Sequence, residues 1–101
     1  MNNEQQQQNI LQGIIQQLGG NKFAAMTGAT FMSDGNTLIT KFKGSRVANI
    51  MYITLDPSDT YTVRFCKYRG LNVKEIKNMS GIYSGMLCPI FEKTTGLKTS
   101  L

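Results

Sequence analysis

The segment from residue 30 to residue 69 alternates between apolar and polar side chains, and this pattern limits the fold more than any other feature of the sequence. A period of two is typical of strands that bury one face. It predicts strands over four segments, Thr30–Ser33, Thr37–Lys43, Asn49–Leu55 and Thr60–Arg69, and a short edge strand over Val73–Lys77.

Short turn sequences separate these predicted strands. Asp34-Gly35-Asn36 is a strong hairpin signal, because Gly35 can take a positive φ. Asp56-Pro57-Ser58-Asp59 is typical of a tight turn, in which aspartate side chains accept backbone N–H bonds. Gly70 turns the chain again, so four or five antiparallel strands in a meander are the natural assembly.

Helical periodicity precedes the strand region. An apolar stripe at helical spacing predicts an amphipathic helix that stops at Gly19-Gly20, and its members are Ile10, Leu11, Ile14, Ile15 and Leu18. The Gln5–Gln8 tract is interpreted as a frayed helical lead. Asn21–Gly28 predicts two further short turns of helix that end at Gly28.

Helical spacing returns near the C-terminus. Ser80 is a candidate N-cap, and the apolar repeat behind it is Ile82, Tyr83, Met86, Leu87, Ile90 and Phe91. Pro89 removes a backbone donor inside this pattern, which predicts a kink or break near Gly85–Pro89. Thr95-Gly96 ends the helix.

These patterns predict an α+β fold. We expect an antiparallel four- to five-stranded sheet flanked by an N-terminal and a C-terminal helix, both packed on one face. The opposite face of the sheet then stays open. The chain of 101 residues is expected to form a single domain over residues 1–101, with a frayed polar N-terminus over residues 1–9.

The composition argues against catalysis. The chain has no histidine, which excludes Ser-His-Asp and Cys-His nucleophiles and histidine-ligated metals. Of six carboxylates, only Asp56 and Asp59 are close in sequence; the turn explains both, and a metal or acid–base pair is the alternative. The phosphate-binding loop motifs are absent. We expect no enzyme activity, no bound metal and no small-molecule cofactor.

The two cysteines and the N-terminal sequence bear on the compartment. Cys66 and Cys88 are 22 positions apart, which fits two buried thiols better than a redox pair or a zinc knuckle. The chain contains no apolar run of the ~20 residues needed to cross a bilayer. With no apolar signal core at its N-terminus, it is expected to be cytoplasmic and to have no membrane partner.

The positive charge is concentrated in the strand region. Residues 41–77 contain eight of the eleven basic residues and three of the six acids, so they carry the whole net charge of +5. Such a surface attracts phosphate backbones. The candidate nucleic-acid-binding residues, for DNA or RNA, are Lys41, Lys43, Arg46, Tyr52, Arg64, Lys67, Tyr68 and Arg69.

Alternate residues of a strand point to the same face of the sheet, and this side-chain parity supports part of the assignment. Arg64 and Tyr68 point away from Val63 and Phe65, so they are expected on the open face of the sheet, where Lys41, Lys43 and Tyr52 join them. Charges that follow phosphates and rings that stack on bases are the parts of a single-strand platform. Exposed tyrosine and lysine are equally ordinary on the solvent face of a two-layer protein, and the aromatic motif of sheet-based RNA binders is absent.

Three sequence clusters carry a resemblance. They are Leu18-Gly19-Gly20-Asn21-Lys22-Phe23 with Ala25-Met26-Thr27-Gly28-Ala29, the segment Asp59–Phe65, and Gly81-Ile82-Tyr83 with Met86-Leu87, Ile90-Phe91 and Thr95-Gly96-Leu97. From about Leu11 to Leu101 the chain resembles a group of small, uncharacterised phage and prophage proteins. The resemblance implies a phage-type gene product acting inside a bacterial cell, and no functional residue is carried over.

Two functions remain open at this stage. The first is an accessory protein that binds nucleic acid through the basic sheet face. The alternative is a protein-binding module, either an inhibitor of a host protein or a self-associating phage component. That module would use the helix Ile10–Leu18 or an open sheet edge.

Overall fold

The computed structural model describes residues 3–99, with side chains from residue 9 onward. Two helices come first, α1 (Asn3–Leu18) and α2 (Gly20–Thr27). Five strands follow: β1 (Thr30–Asp34), β2 (Thr37–Lys41), β3 (Ile50–Leu55), β4 (Tyr61–Arg69) and β5 (Asn72–Ile82). A 3₁₀ turn (Ser84–Met86) leads into the last helix, α3 (Leu87–Thr95).

The strands form one five-stranded antiparallel sheet in chain order, β1-β2-β3-β4-β5. The predicted α+β class and the meander are therefore confirmed. The glutamine tract Gln5–Gln8 lies inside α1, which begins at Asn3. The expected frayed end over residues 1–9 includes residues 1 and 2, which lie outside the described residues.

Turn chemistry determines the β1–β2 pairing. Asp34 pairs with Thr37, which leaves Gly35 and Asn36 as a two-residue turn. Gly35 has φ 60°, and Asn36 is not among the residues with positive φ, so the turn is of the II′ type that matches the twist of the strands. The hairpin prediction is confirmed.

The helices cover one face of the sheet. Ile14 and Leu18 of α1 and Phe23 of α2 are fully buried with alternate residues of β2, β3 and β4, among them Leu38 and Phe65. Phe91 of α3 lies at the centre of this core. Its ring centroid is 4.9 Å from those of Phe23 and Phe42 and 6.5 Å from that of Phe65.

The predicted start of the C-terminal helix is wrong. β5 runs for 11 residues to Ile82, so Ser80 is a strand residue and not an N-cap. The helical repeat includes Ile82 because its side chain is buried at the end of the strand. The predicted kink or break near Gly85–Pro89 takes the form of a 3₁₀ turn that gives way to α3 at Leu87. Pro89 lies in the first turn of α3, where a missing backbone N–H breaks no helical bond.

β5 contains two register shifts against β4. Cys66 pairs with Glu75 and Phe65 with Lys77, so Ile76 is an extra residue in β5. A second extra residue lies between Met79 and Ile82, opposite Tyr61–Val63. Each bulge reverses the parity of the strand beyond it. Beyond Glu75, which lies on the open face opposite Cys66, Ile76 and Lys77 both fall on the helix-covered face, and Ile76 packs against the core there.

The Glu92 carboxylate of α3 binds Thr99, near the C-terminus. Glu92 accepts hydrogen bonds from the Thr99 backbone N–H and the Thr99 hydroxyl, each at 2.9 Å. These bonds favour the ionised carboxylate and lower the pKa of Glu92 from its ordinary value of 4.5. Helix α3 itself ends at Gly96, as predicted.

Thr40→Val is expected to stabilise the protein. The Thr40 hydroxyl is fully buried and has no hydrogen-bond partner among the described residues, and a buried unsatisfied polar group costs about 1–3 kcal/mol. Valine has the same shape without the hydroxyl. Urea unfolding should show a higher midpoint for this variant. Thr27→Val is the matched control and should show no gain, because the Thr27 hydroxyl already donates to the Phe23 carbonyl at 2.8 Å.

Glu92→Gln is expected to remove a pH-dependent part of the stability. Because the pKa of Glu92 is lower in the folded chain than in the unfolded chain, its contribution is complete above the unfolded value near 4.5. It is lost as the pH falls through the lower folded value. Denaturant unfolding at several pH values should show wild type more stable at neutral pH and the difference vanishing in acid. A difference that is constant with pH would contradict this.

Candidate nucleic-acid interface

Strand pairing places most acidic and most basic residues of the sheet at opposite ends of its strands. One end holds Asp34, the last residue of β1, and Asp56 and Asp59, in the turn between β3 and β4. Six basic residues lie in the last rows at the other end and in its loops: Lys41, Lys43, Arg46, Lys67, Arg69 and Lys74. We call this the basic end. Within its strands and loops the described residues include one acid, Glu75.

The loop between β2 and β3 is held in place by Ser45. The Ser45 hydroxyl donates to the Thr95 carbonyl at the end of α3 at 2.8 Å, and it accepts from the Val47 N–H at 3.1 Å. The Lys67 ammonium donates to the Ser45 carbonyl at 3.3 Å. These bonds fix the position of Arg46 relative to the end of β4.

Arg46 and Lys67 meet two more cations beside this loop. With Arg69 and Lys74 they line a cleft of about 280 Å³, which we call the basic cleft. The other lining residues in the described part of the chain are Val47, Asn72, Val73 and Ile76, and none is acidic. Four unbalanced cations around one cleft favour a polyanion as its ligand.

The open face of the sheet has a second cleft, of about 460 Å³, which we call the aromatic cleft. Tyr52 and Tyr68 line it with Lys41 and with the apolar side chains of Met32 and Ile39. The two phenol oxygens are 2.7 Å apart and hydrogen-bonded. Since a phenol has one hydrogen, the acceptor of this pair keeps its own hydrogen for a ligand.

Tyr68 is positioned through its backbone. Its N–H donates to Asn49 Oδ1 and its carbonyl accepts from Asn49 Nδ2, both at 2.9 Å. Just before the start of β3, the Asn49 side chain therefore takes the place of a strand backbone and extends the pairing of β4. It holds the Tyr68 ring, which is 39% exposed, beside Lys41.

Tyr52 is more enclosed than Tyr68. The guanidinium carbon of Arg64 lies 4.6 Å from the centre of its ring, and Arg64 also pairs with Glu75 at 3.6 Å. Burial raises the pKa of the Tyr52 phenol, and the hydrogen bond with Tyr68 raises it further. Tyr52 is thus neutral at physiological pH and has one ring face under a cation, which leaves Tyr68 as the more available ring.

The structure divides the candidate residues into two groups. Lys41, Tyr52, Arg64 and Tyr68 share the open face, in agreement with their parity. Lys67 and Arg69 share the parity of Val63 and Phe65, so they lie on the opposite face, where Arg46 joins them in the basic cleft. Lys43 belongs to neither group: it follows the end of β2, its side chain lies against Gly28 after α2, and its predicted place on the open face is not confirmed.

One residue of the basic cleft is missing from the sequence-based set. Lys74 lies opposite Lys67, on the face of the basic cleft. The sequence signal for it was the same run of basic residues that supplied the others. The predicted edge strand Val73–Lys77 includes Lys74, but its place in the cleft depends on the hairpin register of Arg69 with Asn72, which is not a local sequence property.

Comparison with known proteins adds no assignment: no protein family, curated protein or solved structure matches the chain. Residues 3–99 include no helix long and apolar enough to cross a membrane. The same residues contain no group of three or more His, Cys, Asp or Glu side chains suited to holding a metal ion.

Proposed function

We propose that the protein binds single-stranded nucleic acid around the basic end of its sheet. The observation that carries this proposal is the separation of charge along the strands. Six cations at one end, opposite three aspartates at the other, attract and orient a polyanion more strongly than the same charges scattered over the surface.

The basic cleft is suited to the phosphate backbone. Arginine presents a planar set of donors that fits phosphate oxygens, and lysine adds a flexible point charge. Arg46 and Arg69 lie in the cleft with Lys67 and Lys74, and Arg69 and Lys74 are exposed. Contacts of this kind give affinity without base sequence preference.

The aromatic cleft is suited to an unpaired base. Tyr68 and Arg69 are neighbours that point to opposite faces, so a strand that follows the end of the sheet passes from phosphate-binding cations to an exposed ring. Stacking on an aromatic ring contributes roughly 1–3 kcal/mol per base and requires a base that is not stacked in a duplex. This favours single strands over duplexes.

The proposed activity needs no cofactor and no catalysis. It is compatible with the phage or prophage setting that the sequence resemblance implies, where an accessory protein that coats or guides a single strand inside a bacterial cell is ordinary. The protein-binding alternative draws on the exposed apolar residues of the open face, such as Met32 and Val73.

Arg69→Ala with Lys74→Ala is expected to weaken binding and to reduce its dependence on salt. Each phosphate contact to a single strand contributes about 0.7 to the slope of log K against log salt, so losing two should reduce the slope by about 1.4. Fluorescence anisotropy with a labelled oligonucleotide at several salt concentrations measures both effects.

The matched control removes two exposed helical lysines, Lys22→Ala with Lys93→Ala, and changes the net charge equally. It should retain most of the affinity and slope. Equal losses in both double variants would show that only net charge matters, and no binding of wild type at low salt would remove the proposal.

Tyr68→Ala is expected to weaken single-strand binding by about 1–3 kcal/mol and duplex binding by much less, because only an unpaired base can stack on the ring. Tyr68→Phe keeps the ring and should bind single strands nearly as well as wild type. Titration of both variants against a single strand and its duplex makes the comparison. Equal losses for the two nucleic acids would contradict a stacking role for Tyr68.

A further inference from the structure

Strand β1 is a free edge of the sheet with little to hinder further pairing. Among the described strands it pairs only with β2, and the register is continuous from Thr30 to Asp34. Its first four residues are uncharged and include no proline. Met32 and Ser33 are exposed, and an open cleft of about 400 Å³ separates this edge from α1. Exposed strands of this kind are templates for another strand.

The opposite edge differs in its register and in its charge. β5 contains two bulges, which interrupt the row of backbone groups on its free side. It also contains three charged residues, Lys74, Glu75 and Lys77. Bulges and edge charges are the features by which natural sheets avoid edge-to-edge association. The protection of β5 and its absence from β1 make β1 the edge available for a partner.

The hairpin determines which backbone groups of β1 are free. In a two-residue hairpin the flanking pair, here Asp34 and Thr37, exchanges both hydrogen bonds. Since successive residues alternate, Thr30, Met32 and Asp34 direct their N–H and C=O groups to β2. Phe31 and Ser33 direct theirs to the free edge.

We propose that β1 pairs with β1 of a second copy of this chain, antiparallel, with Met32 on the twofold axis. In this register Phe31 of each copy lies opposite Ser33 of the other. Both residues have outward-facing groups, so the two pairs form four interchain N–H···O=C bonds. Met32 then lies opposite its own copy in a non-hydrogen-bonded pair, where side chains are closest, and its 46% exposed side chain is covered.

Charge complementarity favours a second copy over an unrelated strand. β1 runs from the basic end, where Thr30 pairs with Lys41, to the acidic end at Asp34. A twofold axis reverses this direction, so Asp34 of each copy lies opposite Thr30 of the other, with the other copy's Lys41 in the same row. The separation is two strand spacings, about 10 Å, and the lysine side chain covers most of it. Opposite charges therefore meet twice.

The dimer fixes the relative positions of the two copies of the proposed nucleic-acid surface. A twofold axis perpendicular to an antiparallel pair keeps both open faces on the same side. The result is one continuous sheet of ten strands, twice the five of one chain. The two basic ends lie at diagonally opposite corners of that sheet. This inference does not rest on the proposed function, and either can fail without the other.

The first test is the mass in solution as a function of concentration. Sedimentation or light scattering should show a shift from 11.2 kDa toward twice that mass as concentration rises. Met32→Lys should leave a folded monomer, because it sets two like charges opposite each other across the axis. Val73→Lys is the matched control on the other edge, 54% exposed in the monomer, and should still dimerise. A wild-type monomer at every concentration, or a Met32→Lys dimer, would overturn the proposal.

The second test determines which residues of the two β1 strands lie opposite each other. Met32→Cys, in a Cys88→Ser background to remove the other partly exposed thiol, should form an interchain disulfide on mild oxidation. The Cα atoms of a non-hydrogen-bonded pair are about 4.5 Å apart, within the range that a disulfide spans.

Thr30→Cys in the same background should not cross-link, because the two copies of residue 30 are four positions apart along the strands, about 13 Å. A circular dichroism spectrum like that of wild type shows that each variant is folded. A dimer in which Met32→Cys fails to cross-link, or Thr30→Cys cross-links instead, overturns this register.

Discussion

The fold depends on the burial of Phe91. Its ring contacts Phe23 of α2 and Phe42 after β2 edge-to-face, so one side chain joins two helices to the sheet. Loss of a buried phenylalanine side chain typically costs about 3–5 kcal/mol, comparable with the whole stability of a small domain. Phe91 holds this place because α3 starts at Leu87, which brings residues 87, 91 and 95 to one buried face.

The same constraint leaves the other face of the sheet without a covering layer. All the described helices contribute to one core, so residues on the open face must be shielded by their neighbours. Ile50 is 6% exposed and Cys66 is 2% exposed, although both have the parity of Tyr52 and Arg64. Tyr52, Tyr68 and Lys41 border the cleft over Ile50. The aromatic cleft thus protects an apolar patch while its own rings remain within reach of a ligand.

Most of the fold could be predicted because local signals agreed with the tertiary structure. The alternation over β2, β3 and β4, the turn at Gly35 and the stop at Gly28 each indicate the element that forms. The prediction failed where one pattern had two interpretations. Ile82 fits both the end of a strand and the start of a helical stripe, and Ser80 fits both an N-cap and an edge strand. The length of β5 depends on pairing with β4, which is not a local property.

The candidate site was predictable in composition and only partly in arrangement. Parity placed Arg64 and Tyr68 correctly, because β4 has no extra residue of its own. Counting basic residues could not show that Lys67 and Arg69 face away from Lys41. Nor could it place Lys74 in their cleft, since that requires the register of the β4–β5 hairpin and the position of the Ser45 loop. The number of basic residues can be counted in a sequence, but whether their side chains converge depends on how the strands pair.

The aspartates and the cations at the two ends of the sheet differ in what holds them there. Asp56 accepts a hydrogen bond from the Thr62 hydroxyl at 2.6 Å, and its backbone receives the N–H of Asp59, which has a φ of 64° that aspartate tolerates better than most residues. Turn formation alone therefore explains these acids. Among the described contacts, Arg46, Arg69 and Lys74 have no such structural role. Turn contacts thus account for the acids, and the proposed polyanion ligand would account for the grouping of the cations.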